Sequence, residues 1–121
     1  MTDPHAHFWS VIANAHRSAD ALRPLLEAMS REEMIELWRE YHMLSSELLQ
    51  PPWVTRRSDF QEELTWWVVA QGKEYYDDVH AHPDKFPKEQ TPQGRRFTGT
   101  IASVYAERFD EEIMEADARD D

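Results

Sequence analysis

The sequence predicts an all-α fold: a single compact helical domain of about five helices, with a long loop before the C-terminal helix. Three observations lead there. Apolar residues recur at three- and four-residue steps over most of the chain, and no run alternates as a strand would. Only three glycines and seven prolines occur, the prolines mostly between periodic segments. Serine, aspartate and glutamate stand where helix starts need them.

The first helix is expected to open with Asp3 as N-cap and Pro4 at its first position, where proline's missing N–H costs nothing. Phe8, Ile12 and Ala15 then share a face. A second, short helix spans about Asp20 to Ala28, with Leu22, Leu25, Leu26 and Met29 apolar and Pro24 confined to its first turn. Ser30 and Glu33 form a capping box that starts the third helix, whose stripe is Met34, Leu37, Trp38, Tyr41, Leu44 and Leu48, ending before Pro51-Pro52.

Ser58 and Gln61 form a second box, with Asp59 placed well against the helix dipole. From it the fourth and longest helix is expected to run to His82-Pro83, turning Phe60, Leu64, Trp67, Val68, Gln71, Tyr75 and Val79 inward. Gly72 inside it has poor helix propensity and points to close approach of another helix. Residues 83–97, with Pro83, Pro87, Pro92 and Gly94, read as the long loop. A final helix follows from about Gly99 to Ala116 with Ile101, Val104, Tyr105, Phe109 and Ile113 inside. The domain is thus expected over 1–116, with 117–121 as a frayed acidic tail.

Composition bounds the function. A length of 121 residues suits one domain, and 40% hydrophobic residues give it enough apolar surface to fold. With no cysteine there are no disulfides, thiolate metal sites or cysteine nucleophiles, which suits a cytoplasmic location. The opening residues MTDPHAHFWSVI lack a basic n-region and an apolar core, and nothing nears the roughly 20 apolar residues of a membrane span, so neither secretion nor a membrane partner is expected. A net charge of −11 disfavours nucleic acid, whose binding rests on lysine and arginine, and points instead to solubility or to a basic protein partner. The acidity is concentrated: between Glu107 and Asp121 eight acids face two arginines, leaving −6 of the total.

The runs HFWSVIANA, SREEMIELWREYH and SDFQEELTWWVVAQGKEYYDDVHAHPDKF together resemble the bacterial domain-of-unknown-function family 4240. Phe8, Trp9 and Ile12 match its opening element. Ser58, Asp59, Trp67, Gln71, Gly72, Tyr76, Pro83 and Asp84 match its central Ser-Asp, aromatic, Gln-Gly and Pro-Asp pattern. The resemblance spans about residues 7–113 and implies a helical fold, with no activity to carry over. The chain departs from the pattern at Thr55-Arg56-Arg57 and Phe60, where the family has a glycine-rich approach and a second acid.

No catalytic residue, cofactor motif or metal site is nominated. Ser58 and Asp59 are explained by capping. His80 and His82, near Asp77, Asp78 and Asp84, are the best metal candidates, yet a spacing of two turns them to different helix faces, as it does His5 and His7. Glu32, Glu33, Glu36 and Glu40, like Glu62, Glu63 and Glu74, read as solvated helix surface. The basic pairs Arg56-Arg57 and Arg95-Arg96 read as partners for the chain's own carboxylates.

In the doublets Trp66-Trp67 and Tyr75-Tyr76, neighbours differ by about 100°, so with Trp67 and Tyr75 inward, Trp66 and Tyr76 fall toward a flank or groove, where either another helix covers them or they serve as an aromatic hot spot for a partner. The expected function is therefore a non-enzymatic acidic interaction protein, such as a bacterial immunity protein or toxin inhibitor. Its partner-binding surface would comprise Trp66, Tyr76, Glu107, Asp110, Glu111 and Glu115. The alternative is a small enzyme or ligand-binding domain with an interhelical pocket near Trp67, Gln71, Tyr75 and His80.

Overall fold

A computed structural model describes residues 5–15, 18–55, 58–88 and 96–119, without the side chains of Arg96 and Arg119. The described residues form seven α-helices and one 3-10 turn: α1 (Ala6–Asn14), α2 (Ala19–Glu27), α3 (Arg31–Glu47), α4 (Asp59–Ala70), α5 (Lys73–Ala81), the turn Pro83–Lys85, α6 (Arg96–Phe109) and α7 (Ile113–Arg119). No strand occurs among them, and no helix is long and apolar enough to cross a membrane. The all-α class holds. The expected count of about five does not, because two anticipated helices each break in two.

The first break is at Gly72. Its φ of 109° and ψ of 172° lie in a region that only glycine enters readily, and a Cβ built there would meet nothing within 4 Å. Conformation, not close approach of another helix, therefore requires the glycine. The long fourth helix ends at Ala70 and α5 starts afresh with a new phase. The longest helix is instead α3, with 17 residues. The second break is at Asp110, whose φ of 53° is left-handed; aspartate tolerates this conformation better than most residues, and α6 ends there.

Starts follow the capping chemistry. The Ser30 hydroxyl accepts from the Glu33 N–H at 3.1 Å while the Glu33 carboxylate accepts from the Ser30 N–H at 2.9 Å, the complete box. Ser58 makes the serine half of the second box, accepting from the Gln61 N–H at 3.2 Å. The α2 helix starts earlier than expected, with Ser18 capping Ala21 N–H, so Pro24 falls in the second turn, not the first. It sits there on the exposed side, where a lost backbone hydrogen bond is least costly. The expected cap Asp3-Pro4 lies outside the described residues.

The buried side chains join in one core. Every apolar residue of the α3 stripe is inside, together with Phe8, Ile12, Leu22, Leu26, Leu64, Val68, Ile101, Val104 and Tyr105. The α3 helix runs through the middle: α4, α6 and α7 pack on it, and α2 lies along α6. Across α1 and α3 the rings of Phe8 and Tyr41 meet edge to face at 5.9 Å. The side chain of Arg108 closes the α2 end, donating to the carbonyls of Leu26 (2.9 Å), which also accepts the Met29 N–H, and Met29 (2.6 Å).

Candidate functional site: an acid-lined groove along α3

Buried aromatic rings that carry a polar group need a partner for it, and here the partners are carbonyls of neighbouring helices. The Tyr41 hydroxyl donates to the Trp66 carbonyl at 2.7 Å, the Trp53 indole N–H to Val79 at 3.0 Å, and the Tyr76 hydroxyl to Leu44 at 2.7 Å. Burial pushes the Tyr41 and Tyr76 hydroxyls well above the ordinary tyrosine range; at Tyr76 the charges of Glu47 and Asp77 add to it.

These bonds reverse the expected order of the two tyrosines and place the covered member at Tyr76. Tyr76 is only 5% exposed, with its ring 5.4 Å from that of Trp9, while Tyr75 stays half-exposed. The break at Gly72 rotates α5 relative to an unbroken helix, which exchanges the two tyrosines. Trp66 is half-buried, its carbonyl taken by Tyr41 and its ring edge-on to His42 at 6.1 Å. Tyr76 is thus a floor residue and not an exposed anchor.

The alternative pocket does not assemble either. Trp67 and Tyr75 meet edge to face at 5.5 Å and the Gln71 amide donates to the Trp67 carbonyl at 3.2 Å. His80 lies elsewhere, between Trp53 (4.9 Å) and Tyr76 (6.1 Å), with Nε2 3.5 Å from a Glu47 oxygen. Among the described residues no three His, Asp or Glu side chains gather as a cation site would need. Asp77 pairs with Lys73 at 2.5 Å and Asp78 with Lys85 at 3.0 Å. Of the basic pairs, Arg56, Arg57 and Arg95 lie outside the described residues, as does the side chain of Arg96.

Three of the C-terminal acids are committed to ion pairs within the fold. Glu107 pairs with Arg23, Glu111 with Arg31 and the Tyr105 hydroxyl, and Asp117 with Arg39. Burial, with the Glu111 contact second, raises the Tyr105 hydroxyl to about 12. The segment expected to fray beyond residue 116 is helical through Arg119, and Asp117 within it holds α7 to α3. Of the acids expected to face a partner, only Asp110 and Glu115 remain exposed without a partner among the described residues. Glu107 and Glu111 have arginine partners from α2 and α3, with Glu107 still at an exposed position.

A further group of acids without a lysine or arginine partner among the described residues lies in a row on α3. Glu33, Glu36, Glu40, Met43 and Glu47 follow one another at steps of three and four, within about 80° of helix surface. Among the described residues none of these four glutamates pairs with a lysine or arginine. Glu40, its side chain largely covered, accepts from the His5 ring at 2.8 Å, Glu47 has His80, and Glu33 closes its capping box, whose Ser30 N–H lowers its carboxyl below the ordinary range.

Beside the stripe the surface is concave. A groove of about 420 Å³ opens between α1, α3 and α5, floored by Trp9, Leu44 and Tyr76, with Met43, Glu47, Asp77, Lys73, His5 and His80 around it. A smaller hollow of about 100 Å³ lies further along, where Phe8, Met29 and Leu37 meet Glu33, Glu36 and Glu40. Met43 is 54% exposed, one of two large apolar side chains left so open among the described residues; Met114 is the other.

Sequence reasoning takes the α3 glutamates for ordinary solvated surface and passes over Trp9, Met43 and Glu47. A signal was present, since Glu32, Glu36 and Glu40 follow at four-residue steps, a like-charge arrangement that weakens an isolated helix. What the sequence lacked was the contrast with the C-terminal acids, visible only once Arg23, Arg31 and Arg39 are seen to be occupied elsewhere. Comparison with family models, curated proteins and solved structures finds no match to this chain.

Proposed function

We propose that this chain is a non-enzymatic interaction protein that receives a basic segment of a protein partner along the acidic face of α3. The observation that carries the reading is the row Glu36, Glu40 and Glu47 around exposed Met43, a row with no lysine or arginine partner among the described residues, whereas Glu107, Glu111 and Asp117 each hold an arginine. Exposed ion pairs contribute only about 0.2–1 kcal/mol each, so the glutamates steer and orient the partner more than they hold it. Holding falls to apolar surface. Covering the exposed Met43 side chain at roughly 25 cal/mol per Å² adds about 1–2 kcal/mol, the already buried groove floor adding little.

An immunity protein or inhibitor that neutralises a basic toxin is the biological setting we favour, in a bacterial cytoplasm that suits a cysteine-free chain. Kinship with family 4240 belongs to the same proposal. It rests on the sequence pattern alone, Ser58, Asp59, Trp67, Gln71, Gly72, Tyr76, Pro83 and Asp84.

The test is an NMR titration of the labelled chain with a lysine- and arginine-rich peptide at low and moderate salt. Shifts along residues 33–47 and in α5 are expected, weakening as salt rises. No saturable shift at low salt, or shifts confined to α6 and α7, would count decisively against the proposal.

A further inference from the structure

We infer that the groove between α1, α3 and α5 is a specific subsite for one long basic side chain of the partner, its alkyl stem on the apolar floor and its charged head at Glu47. The inference rests on the proposed function and deepens it, from a charged face to a defined pocket.

Three features argue for this occupant. The floor of Trp9, Leu44 and Tyr76 is buried, with the Trp9 and Tyr76 rings 5.4 Å apart and the Tyr76 hydroxyl bonded to the Leu44 carbonyl, so it presents a fixed apolar surface for methylene groups. Met43, unbranched and exposed, stands beside it as an adaptable wall. The acceptor at the rim is Glu47: Asp77 already holds Lys73 at 2.5 Å, whereas the partner of Glu47 is a histidine at 3.5 Å, a long contact that an arginine or lysine would outcompete.

Size and charge agree. A space of about 420 Å³ admits a whole side chain with part of its backbone, while the hollow of about 100 Å³ beside Glu36 and Glu40 does not. An acidic occupant would bring its charge against Glu47 and Asp77, with Lys73 already held by Asp77 and the two histidines His5 and His80 on carboxylates of α3. A purely apolar one would leave Glu47 at the rim of a dry contact, losing its hydration.

The probes are three acetylated, amidated tripeptides, Gly-X-Gly, with X arginine, lysine or norleucine, titrated into the full chain and followed at the Trp9 indole N–H and the Met43 methyl. The arginine and lysine probes are expected to give saturable shifts at these two groups, with norleucine at least fivefold weaker. Glu47→Gln is expected to weaken the charged probes by fivefold or more, and Met43→Ala by a smaller factor. Glu36→Gln is expected to leave them unchanged. Because Glu47 and Met43 are exposed, these variants keep the fold, which the amide spectrum verifies.

Equal shifts from norleucine, or charged probes that ignore Glu47→Gln, would overturn the subsite. The two levels separate cleanly. Should the long basic peptide bind α3 and respond to Glu36→Gln and Glu40→Gln but not to Glu47→Gln, the subsite fails and the interaction reading survives. If the tripeptides bind at Trp9 while the long peptide gives no saturable shift, the subsite stands and the interaction reading falls.

Discussion

The guanidinium of Arg31 donates two hydrogen bonds, from Nη2 at 2.8 Å and Nε at 3.0 Å, to a single oxygen of Glu111, which also receives the Tyr105 hydroxyl. The most acidic stretch of the chain is thereby turned inward onto α3. Both side chains are about two-thirds to three-quarters covered, so the pair sits between the weak surface case and the buried one. Replacing Glu111 by Gln is expected to cost about 1–2 kcal/mol in chemical denaturation. A double-mutant cycle with Arg31→Met should show coupling of about 1 kcal/mol. Coupling near zero would mean that the acidic segment is not held there.

Gly72 yields a second prediction. Since a Cβ meets nothing, the cost of Gly72→Ala is conformational: about 1–3 kcal/mol for forcing alanine into the glycine-only region. A neutral or stabilising result in thermal or urea unfolding would show that α4 and α5 join as one continuous helix, as the sequence alone suggests.

Tyr76→Phe tests the exchange of the two tyrosines. It removes the donor to the Leu44 carbonyl in the last turn of α3 and should destabilise by about 1–2 kcal/mol. Tyr75→Phe, at a half-exposed ring, should change stability by less than about 0.5 kcal/mol. Equal effects would contradict the assignment of Tyr76 as the inward member.

His42 supplies a pH prediction. Its ring lies 4.2 Å from Trp38, its Nε2 has no hydrogen-bond partner among the described residues, and burial pushes its pKa below the ordinary histidine value against the weaker opposing pull of Asp117. The folded state therefore binds the proton less readily than the unfolded chain. The stabilisation is fully present above the unfolded histidine range and is lost as pH falls through the depressed folded value. His42→Phe should flatten stability against pH between about 7.5 and 5 relative to the unmodified chain. An unchanged slope would remove His42 as its source.

Much of this was legible beforehand. The Ser30–Glu33 box, the α3 stripe and the inward faces of α1 and α6 follow from local spacing, because capping and period depend on residues only a few positions apart. The breaks at Gly72 and Asp110 were not. A glycine inside a helical pattern has two explanations, and Asp110 carries neither glycine nor proline to mark its left-handed turn. The candidate site was hidden for a different reason. Which acids are free depends on pairs such as Arg23 with Glu107 and Arg39 with Asp117, about 80 residues apart, and such distances leave no trace in periodicity.

The central claim, that α3 and not the C-terminal segment presents the acidic interface, is tested most directly by two variants of equal charge change. One is Glu36→Gln, Glu40→Gln, Glu47→Gln; the other is Asp110→Asn, Glu112→Gln, Glu115→Gln, all at exposed or half-exposed positions. Affinity for one lysine- and arginine-rich peptide is measured by calorimetry at fixed salt. The account predicts a loss of tenfold or more for the α3 variant and less than about threefold for the other, the remainder being the shared change in net charge. Equal losses, or a larger loss for the C-terminal variant, would contradict it.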